Sequence, residues 1–244
     1  MSRQTPPDTL LDIYLALSHI TSVPAGSPLA PLPGEAPEET PRYYVARAAW
    51  GAWRVHIRPD TPPALREGLA ALPPERALDD PGAILPLFAR HGAACYSVWL
   101  GRTARFPDDL DSALAEGVIA LPAGLDVYGE TAPPLAPPEP AAPSDPPAPS
   151  SPFTPRQFAI IENGLAVSTC ESSRESGLAA EAWVRTLPTW RGRGYAARVT
   201  AAWALDARRR GKEPFYSHHR DNRASAAVAR ALRLIPFLDD AGYL

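Results

Sequence analysis

The sequence predicts a mixed α/β protein, and three features of the chain lead to this fold class. In the second half, strand-like segments come in series and are followed by a helix, a strand and a second helix, an order typical of a sheet with helices packed on it. An Asn-Gly pair at 163–164 joins two apolar segments, which indicates a β-hairpin. A proline-rich segment interrupts the chain between its two halves.

We therefore expect two folded units joined by a linker. The 244 residues are compatible with one large domain or two small ones. Residues 131–152 consist mainly of Pro, Ala and Ser and lack the backbone donors that a helix or a sheet needs, so they are predicted to form an extended linker. An N-terminal α+β domain at 1–130 then packs on a C-terminal domain at 153–244.

The first half is expected to combine short helices with one hairpin. Apolar residues at helical spacing predict an amphipathic helix at 8–22, with Asp8 as a possible N-cap. Two strand-like segments on either side of Gly51 predict a hairpin. The predicted elements of this half are the helix at 8–22, strands at 43–50 and 52–58, helices at 62–72 and 81–91, a strand at 94–100, a helix at 109–117 and a strand at 118–121.

The second half has stronger local signals. The basic last turn of a helix at 195–210 and the following Gly211 are typical of a helix C-terminus. Asp221 or Asn222 can cap the final helix. The predicted elements are strands at 158–161 and 165–170, a polar loop at 171–177, a strand at 180–187, the helix at 195–210, a buried strand at 214–218 and a helix at 223–232.

Composition narrows the class of protein. The formal net charge of -3 argues against a general nucleic-acid binder, and the sequence contains no apolar run of membrane-spanning length. The N-terminus lacks the apolar core of a signal peptide. Two cysteines far apart in sequence indicate free thiols in a reducing compartment, so the cytoplasm is the expected location. The 31 prolines and the abundance of Ala, Arg and Leu are typical of a GC-rich bacterial genome.

The sequence Arg-Gly-Arg-Gly-Tyr-Ala at 191–196 is the main candidate for a binding site. It joins a predicted strand to a predicted helix, a layout that directs backbone N–H groups and a helix N-terminus at an anion. The two arginines add positive charge, and the two glycines let a ligand approach the backbone closely. A phosphate or pyrophosphate is the expected guest. An Arg-Gly segment that contacts RNA is the alternative, although such segments usually repeat within disordered sequence.

The segment at 191–196 fits the (Gln/Arg)-x-x-Gly-x-(Gly/Ala) signature of the GNAT superfamily of acyl-CoA-dependent N-acyltransferases, and Pro188 lies where that family has a proline. Further along the chain, 216–232 resembles the second motif of the family, a strand followed by Asn-x-x-(Ser/Ala) and a helix. The resemblance covers about 156–235. The segment at 166–174 is similar to a bacterial subgroup that carries an extra N-terminal region.

The resemblance implies a GNAT-like acyltransferase fold in the C-terminal half, with acetyl-CoA as the acyl donor. The turn would bind the pyrophosphate of the donor, and the pantetheine arm would pair with the edge of the preceding strand, which the family leaves open by splaying two strands. Catalysis would consist mainly of positioning an amine at the thioester and polarising its carbonyl group. The implied donor-binding residues are Thr186, Leu187, Arg191, Gly192, Arg193, Gly194, Tyr195, Ala196, Asn222 and Ser225.

Two catalytic residues are predicted, Glu181 and Ser217. Glu181 begins the strand before the turn, near the position where some GNAT enzymes have a glutamate general base; a solvated carboxylate or a partner of Arg185 is the simpler interpretation. Many members of the family have an acidic tyrosine seven residues after the motif asparagine, but this chain has Ala229 there. Ser217 is a candidate to replace it, as are two tyrosines, Tyr216 and Tyr243. Arg233 also departs from the family, which commonly has glycine after the last helix.

No metal site is expected. His218 and His219 are adjacent on a strand and therefore project to opposite sides, and no other Cys, Asp or Glu cluster has ligand spacing. Cys170 is expected to be a small buried side chain.

The function predicted from these residues is transfer of acetyl from acetyl-CoA to a primary amine, on a small molecule or on a protein, by direct attack in a ternary complex. A catalytically inactive GNAT-like module that binds acyl-CoA or a protein is the alternative. The first half either supplies the missing elements of the fold or closes the acceptor site with residues such as Tyr96, Trp99 and Arg102. Nucleic-acid and membrane partners are not expected, and a monomer and a homodimer are both compatible with the sequence.

Overall fold

A computed structural model of the chain describes residues 5–17, 40–122 and 156–244. The whole predicted linker at 131–152, and residues 18–22 of the predicted first helix, lie outside the described residues. The α-helices within them are α1 (Pro7–Leu17), α2 (Pro63–Ala70), α3 (Pro74–Asp79), α4 (Leu85–Arg90), α5 (Tyr195–Arg209) and α6 (Arg223–Ala231).

The strands of the described residues form one nine-stranded mixed sheet. They are β1 (Tyr43–Ala48), β2 (Trp53–Ile57), β3 (Val98–Arg105), β4 (Ile119–Pro122), β5 (Arg156–Glu162), β6 (Leu165–Glu175), β7 (Ala179–Thr186), β8 (Glu213–His219) and β9 (Ile235–Tyr243). Their order across the sheet is β2-β1-β9-β3-β8-β7-β6-β5-β4. β7 and β8 are parallel, and the other described neighbours are antiparallel.

Strands from both halves of the chain share this sheet. β3 lies between β8 and β9, and β4 pairs with β5. The predicted hairpin of β1 and β2 extends the sheet beyond β9. The first half of the chain therefore contributes a strand beside β8, next to the predicted site, as well as strands at both edges. The division into domains at 131–152 stays a prediction.

Helices cover both faces of the sheet. Tyr44 and Ala46 of β1 pack against α1, whereas Tyr43 and Val45 pack against α2, α3 and α4. Because neighbouring strand residues point to opposite faces, α1 lies on the face opposite to α2–α4. By the same alternation α5 lies on the face opposite to α1, since Tyr216 of β8 belongs to the α5 core while its neighbour in β8, Phe215, packs with α1.

Three expectations about elements were wrong. The polar segment at 171–177 is not a loop, because β6 continues through Glu175 and pairs with β7 as far as Glu175↔Ala180. Trp203 of α5 supports this extension by donating an indole N–H hydrogen bond to Ser172 (3.1 Å). The strand expected at 94–100 begins and ends later, at Val98–Arg105, and the helix expected at 109–117 is a short 3-10 turn at Ser112–Ala115. α3 and β9 were not predicted.

The end of α6 shows a departure from usual backbone preference. Arg233 has a φ of 53°, in the left-handed region where glycine is favoured. This is the position at which the sequence departs from the glycine of the resembled family. The sequence therefore carries an arginine in a conformation that glycine adopts at lower free energy.

Candidate active site

β7 and β8 separate partway along their length. The described pairs between them are Ala179↔Glu213, Ala180↔Pro214 and Glu181↔Phe215, after which the register ends. β7 continues to Thr186 while it pairs with β6 on its other side. Beyond Glu181, the edge of β7 that faces β8 therefore has no partner strand within the described residues.

A cavity of about 640 Å³ occupies this opening. Its walls come from the edge of β7, the turn before α5, β8 and α6. Eight of the ten predicted donor-binding residues line it: Thr186, Arg191, Gly192, Gly194, Tyr195, Ala196, Asn222 and Ser225. The other two, Leu187 and Arg193, do not line its described wall.

The turn at 191–196 has the geometry of an anion site. Gly192 and Gly194 have φ angles of 76° and 78°, and a Cβ built on either would meet no described atom within 4 Å. Gly194 is the N-cap of α5, and no side chain of the described residues caps that helix. The first N–H groups of α5 thus remain available next to the positive end of the helix dipole. The turn can bind a negatively charged group.

Two arginines flank the turn in different ways. Arg191 lies in the cavity wall, where its Nε donates a hydrogen bond to the Thr186 carbonyl (3.3 Å). The Arg193 guanidinium stacks over the Trp190 ring at 4.5 Å. The Tyr195 hydroxyl donates to Glu162 (2.6 Å) and anchors the first turn of α5 to β5. Arg191 is therefore the better placed of the two cations to reach a ligand in the cavity.

Asn222 and Ser225 form the cap of α6. The Asn222 Oδ1 accepts a hydrogen bond from the Ser225 backbone N–H (3.0 Å), as predicted for an N-cap. Both residues also line the cavity. Their capping function is established by this geometry, and contact with a ligand stays a prediction.

The two predicted catalytic residues contact each other. The Ser217 hydroxyl donates a hydrogen bond to Oε1 of Glu181. Arg174 lies 3.7 Å from Oε2 of the same carboxylate, and this buried oxygen accepts no hydrogen bond from the described residues. Glu181 belongs to the last pair before β7 and β8 separate. The carboxylate and the hydroxyl thus meet at the vertex of the opening, outside the residues that line the cavity.

Tyr216 is one of the candidate acids that the sequence offers. It lines the cavity and is only 1% exposed, yet its hydroxyl has no hydrogen-bond partner among the described residues. Ser225 lies close enough to influence its pKa, but the two hydroxyls do not form a hydrogen bond of normal geometry. Burial raises the pKa of Tyr216 to about 12, so the side chain stays protonated at neutral pH.

Tyr243, another candidate acid, is placed elsewhere. Its hydroxyl donates to the Ala77 carbonyl (2.6 Å) in the core under α3. Ala229 faces a second cavity, of about 570 Å³, on the other side of α6. That cavity also includes Arg102 and His218 from the two neighbouring strands β3 and β8.

The other predicted site residues lie apart from the cavity of about 640 Å³. Tyr96 is 86% exposed, and Trp99 packs edge-on against His219 with ring centroids 5.6 Å apart. His218 Nδ1 lies 2.8 Å from the His219 carbonyl, to which it must donate because a carbonyl is only an acceptor. Cys170 is fully buried, as expected.

A buried carboxylate lies between β1 and β3. The Tyr44 hydroxyl donates to Asp240 Oδ2 (3.1 Å), while Oδ1 has no hydrogen-bond partner among the described residues. Burial raises the pKa of Asp240 to about 7, and the charge of Glu181 adds to this effect. The negative charge of Glu181 therefore contributes to keeping Asp240 protonated.

The described residues contain no group of three or more His, Cys, Asp or Glu side chains arranged to hold a metal ion. Within the same ranges, none of the helices combines the length and apolar character required to cross a membrane.

Among known proteins, the ones similar to this chain are solved structures. No model of a protein family matches the sequence, and no curated protein matches it. A putative GNAT-family acetyltransferase from Novosphingobium aromaticivorans is 19% identical, with a TM-score of 0.43 over 62% of this chain and 67% of that one. A GCN5-related N-acetyltransferase-like protein from Streptococcus suis is 15% identical (TM-score 0.38; 60% of this chain, 63% of that one).

A GNAT-family acetyltransferase from Colwellia psychrerythraea is 13% identical, with a TM-score of 0.46 over 96% of this chain and 97% of that one. The chain is thus similar to solved structures of the GNAT superfamily at identities below 20%.

Proposed function

We propose that the protein is an N-acetyltransferase that moves the acetyl group of acetyl-CoA to a primary amine. The observation that carries this proposal is the cavity of about 640 Å³ in the opening between β7 and β8, with the uncapped N-terminus of α5 in its wall. One end of the cavity offers positive potential and backbone donors. The other end is an unpaired strand edge next to a buried carboxylate. A long ligand with an anionic head and an amide-containing arm matches both ends.

In this proposal the pyrophosphate of acetyl-CoA binds the turn at 192–195, with Arg191 as the nearest cationic side chain. The pantetheine arm runs along the free edge of β7 and pairs its two amides with the backbone of residues 182–186. That arm has about 13 backbone bonds, which is the length of roughly four extended residues. Since five residues of β7 continue past the last pair with β8, the thioester comes to lie near Glu181.

Glu181 acts as the general base. Its Oε1 is held by the Ser217 hydroxyl, whereas Oε2 is left without a hydrogen bond from the described residues. The second oxygen can accept a proton from the ammonium group of the acceptor, directly or through one water. Because Ser217 donates to the carboxylate, it positions the base. Arg174 forms an ion pair with Oε2 at 3.7 Å.

The acceptor is a small molecule or a protein amino group, and the chain acts as a monomer or a homodimer in the cytoplasm. The donor needs no metal, since the proposed chemistry depends on positioning and on proton transfer.

Calorimetry with acetyl-CoA and with CoA tests the donor site. We expect micromolar binding that is at least tenfold weaker in Arg191→Ala and unchanged in Arg90→Ala, an exposed arginine of α4. Absence of binding by the folded wild-type protein at high micromolar donor would overturn the proposal. Release of CoA thiol in the presence of a panel of primary amines then tests the transfer.

A second candidate function is an acyl-CoA-binding module without transferase activity. The observation that favours it is Ala229, which stands where the resembled family commonly has an acidic tyrosine and which faces the second cavity. Tight donor binding without thiol release across the amine panel would select this function.

A further inference from the structure

We propose that the second cavity, of about 570 Å³, is a binding site for a small organic acid with an apolar body and an anionic head. This site is additional to the proposed donor site, and its existence does not require that the protein bind acetyl-CoA. Small-molecule sites in proteins have volumes of roughly 300–1,000 Å³, so the cavity is large enough for such a guest.

A row of polar side chains crosses four neighbouring strands beneath this cavity. Arg47 of β1 pairs with Asp239 of β9, Asp239 pairs with Arg102 of β3, and Arg102 pairs with His218 of β8. Residues that pair directly across neighbouring strands point to the same face of a sheet. Because Arg47 follows Val45 by two residues, this is the face that carries α2–α4. All four residues of the row line the second cavity.

Positive charge exceeds negative charge along this wall. Asp239 lies 3.1 Å from Arg47 and 3.7 Å from Arg102, so one carboxylate is shared by two guanidinium groups. Arg230 of α6 also lines the cavity, and its guanidinium forms no ion pair with the described residues. Three arginines are therefore balanced by one aspartate, and an anionic guest can accept hydrogen bonds from the guanidinium groups that remain.

The charges on the other side of the row do not cancel this excess. There the row borders a smaller cavity, of about 130 Å³, which also includes Arg220, Asp79 and Asp240. With these residues included, four arginines are balanced by three aspartates. Burial also raises the pKa of Asp240 to about 7, which reduces its negative charge near neutral pH. The row therefore favours an anion over a cation.

A second wall of the cavity is apolar. It comes from α6 and from the segment that leads into β9, and it includes Ala226, Ala229, Leu234 and Pro236. The two alanines leave space that larger side chains would fill. An apolar wall next to cationic groups fits a molecule with a hydrocarbon or aromatic body and a charged end. A free inorganic anion fits less well, because it would leave this wall in contact with water.

The helix α6 separates the second cavity from the cavity of about 640 Å³. Ala226, Ala229 and Arg230 face the second cavity, whereas Ser225 and Val228 line the other one. Among the described residues, none lines both cavities. A guest can therefore occupy the second cavity while acetyl-CoA occupies the first.

The guest is also distinct from the amine of the proposed reaction. Ser217, which contacts Glu181, is the neighbour of His218 in β8, so their side chains point to opposite faces of the sheet. A molecule over the row thus lies on the face away from the proposed base. In this proposal Arg102, which the sequence associated with an acceptor site, binds the second guest instead.

Calorimetry with 4-phenylbutyrate tests the site, and 4-phenylbutan-1-ol is the matched probe that has the same body without the charge. We expect submillimolar binding of the acid and roughly tenfold weaker binding of the alcohol. The affinity for the acid should be the same with and without CoA, because the two cavities share no described residue. Equal affinity for acid and alcohol, displacement of the acid by CoA, or no binding of the acid at millimolar concentration would each overturn the inference.

Arg230→Ala and Arg223→Ala are a matched pair of variants. Both residues are exposed arginines of α6, but Arg223 does not line the cavity. The affinity for 4-phenylbutyrate should fall roughly tenfold in Arg230→Ala and in Arg102→Ala, and by less than about twofold in Arg223→Ala. An equal loss in Arg230→Ala and Arg223→Ala would indicate a general effect of net charge and contradict the site.

The ring of His218 gives a measurement on the unmodified protein. 4-Phenylbutyrate should shift the NMR signal of the His218 Cε1 proton and leave that of His91, which follows α4, unchanged. Loss of the signal in His218→Gln assigns it. A shift of the His91 signal alone would overturn the inference. Failure of CoA to bind, with the effects of the probe intact, would overturn the proposed function and leave this site supported.

Discussion

The Ser217 hydroxyl donates a hydrogen bond to the Glu181 carboxylate across the last point at which β7 and β8 pair. The contact links two residues 36 positions apart in sequence, and it places a buried carboxylate at the vertex of the opening. The same opening exposes the edge of β7 and leads to the N-terminus of α5. The proposed proton acceptor and the proposed anion site thus lie at the two ends of one gap in the sheet.

Replacing this carboxylate should separate catalysis from binding. In Glu181→Gln, we expect kcat to fall roughly 100-fold or more, since an amide cannot accept the proton of the acceptor ammonium. The amide oxygen can still accept the Ser217 hydrogen bond, so folding should be largely retained. Steady-state kinetics with an amine accepted by the wild type, together with calorimetry of CoA, provides the measurement.

Ser217→Ala is the companion variant. It removes the group that positions the carboxylate but keeps the base, so kcat should fall by roughly tenfold, less than in Glu181→Gln. Equal activity in Glu181→Gln and the wild type would show that Glu181 is a structural ion partner of Arg174.

A negative charge on the turn should abolish donor binding. In Gly194→Glu, the carboxylate lies beside the N-terminal N–H groups of α5 and repels the pyrophosphate, so CoA affinity should drop at least 100-fold by calorimetry. The left-handed φ of 78° also costs about 1 kcal/mol of stability for a non-glycine residue.

Gly164→Glu separates these two effects. Gly164 has the same φ of 78° and equally open surroundings among the described residues, but it lies in the β5–β6 turn. The free energy of unfolding, measured in urea, should fall by a similar amount in both variants. Only Gly194→Glu should lose affinity for CoA. Comparable CoA binding in the two variants would contradict an anion site at this turn.

The cap of α6 should contribute measurably to stability. Asn222→Ala removes the acceptor of the Ser225 N–H and should lower the free energy of unfolding by about 1 kcal/mol. Asn222→Ser retains a capping oxygen and should lose at most a few tenths of this value. If Asn222→Ser keeps stability but weakens CoA binding, the asparagine contacts the donor as well as the helix; equal stability of Asn222→Ala and the wild type would contradict the capping function.

Stability should depend on pH through Asp240. Its pKa is raised from 3.8 to about 7 by burial, so the folded state holds a proton that the unfolded chain releases near pH 4. Between these values the unfolded state binds fewer protons, and stability falls as pH rises, by up to about 4 kcal/mol in all. The contribution is fully present below the unfolded pKa and is lost above the folded one.

Asp240→Asn should remove this dependence. An amide stays neutral and can still accept the Tyr44 hydroxyl, so the variant should gain stability relative to the wild type at pH 7.5 and not at pH 4. Urea unfolding at both pH values checks this. A parallel pH profile for the variant and the wild type would show that another group causes the dependence.

Local signals in the sequence were sufficient to predict several turns and one helix cap. The Asn-Gly pair gave the β5–β6 turn, Gly51 lies in the turn of the β1–β2 hairpin, and Asn222 caps α6. The glycines of the turn at 191–196 have the positive φ angles that a close approach to the backbone requires. These features depend on neighbours within a few residues, where the conformational preference of one side chain or of glycine decides the outcome.

Pairing between distant segments was decided by the tertiary structure. Nothing local in Val98–Arg105 indicates that it lies between β8 and β9, and the polar composition of 171–175 did not prevent its pairing with β7. β9 was missed because its strand-like residues gain stability from β1 and β3, both far away in the chain.

The sequence by itself therefore determined the mixed α/β class, the glycine turn that begins α5 and the cap of α6. The tertiary structure alone decided that Glu181 and Ser217 meet, that β7 and β8 part directly after them, and that the buried Tyr216 hydroxyl is left without a partner among the described residues. The physical reason is that caps and turns depend on local backbone preference, whereas a gap between strands and an unpaired buried donor depend on which distant segments share the sheet.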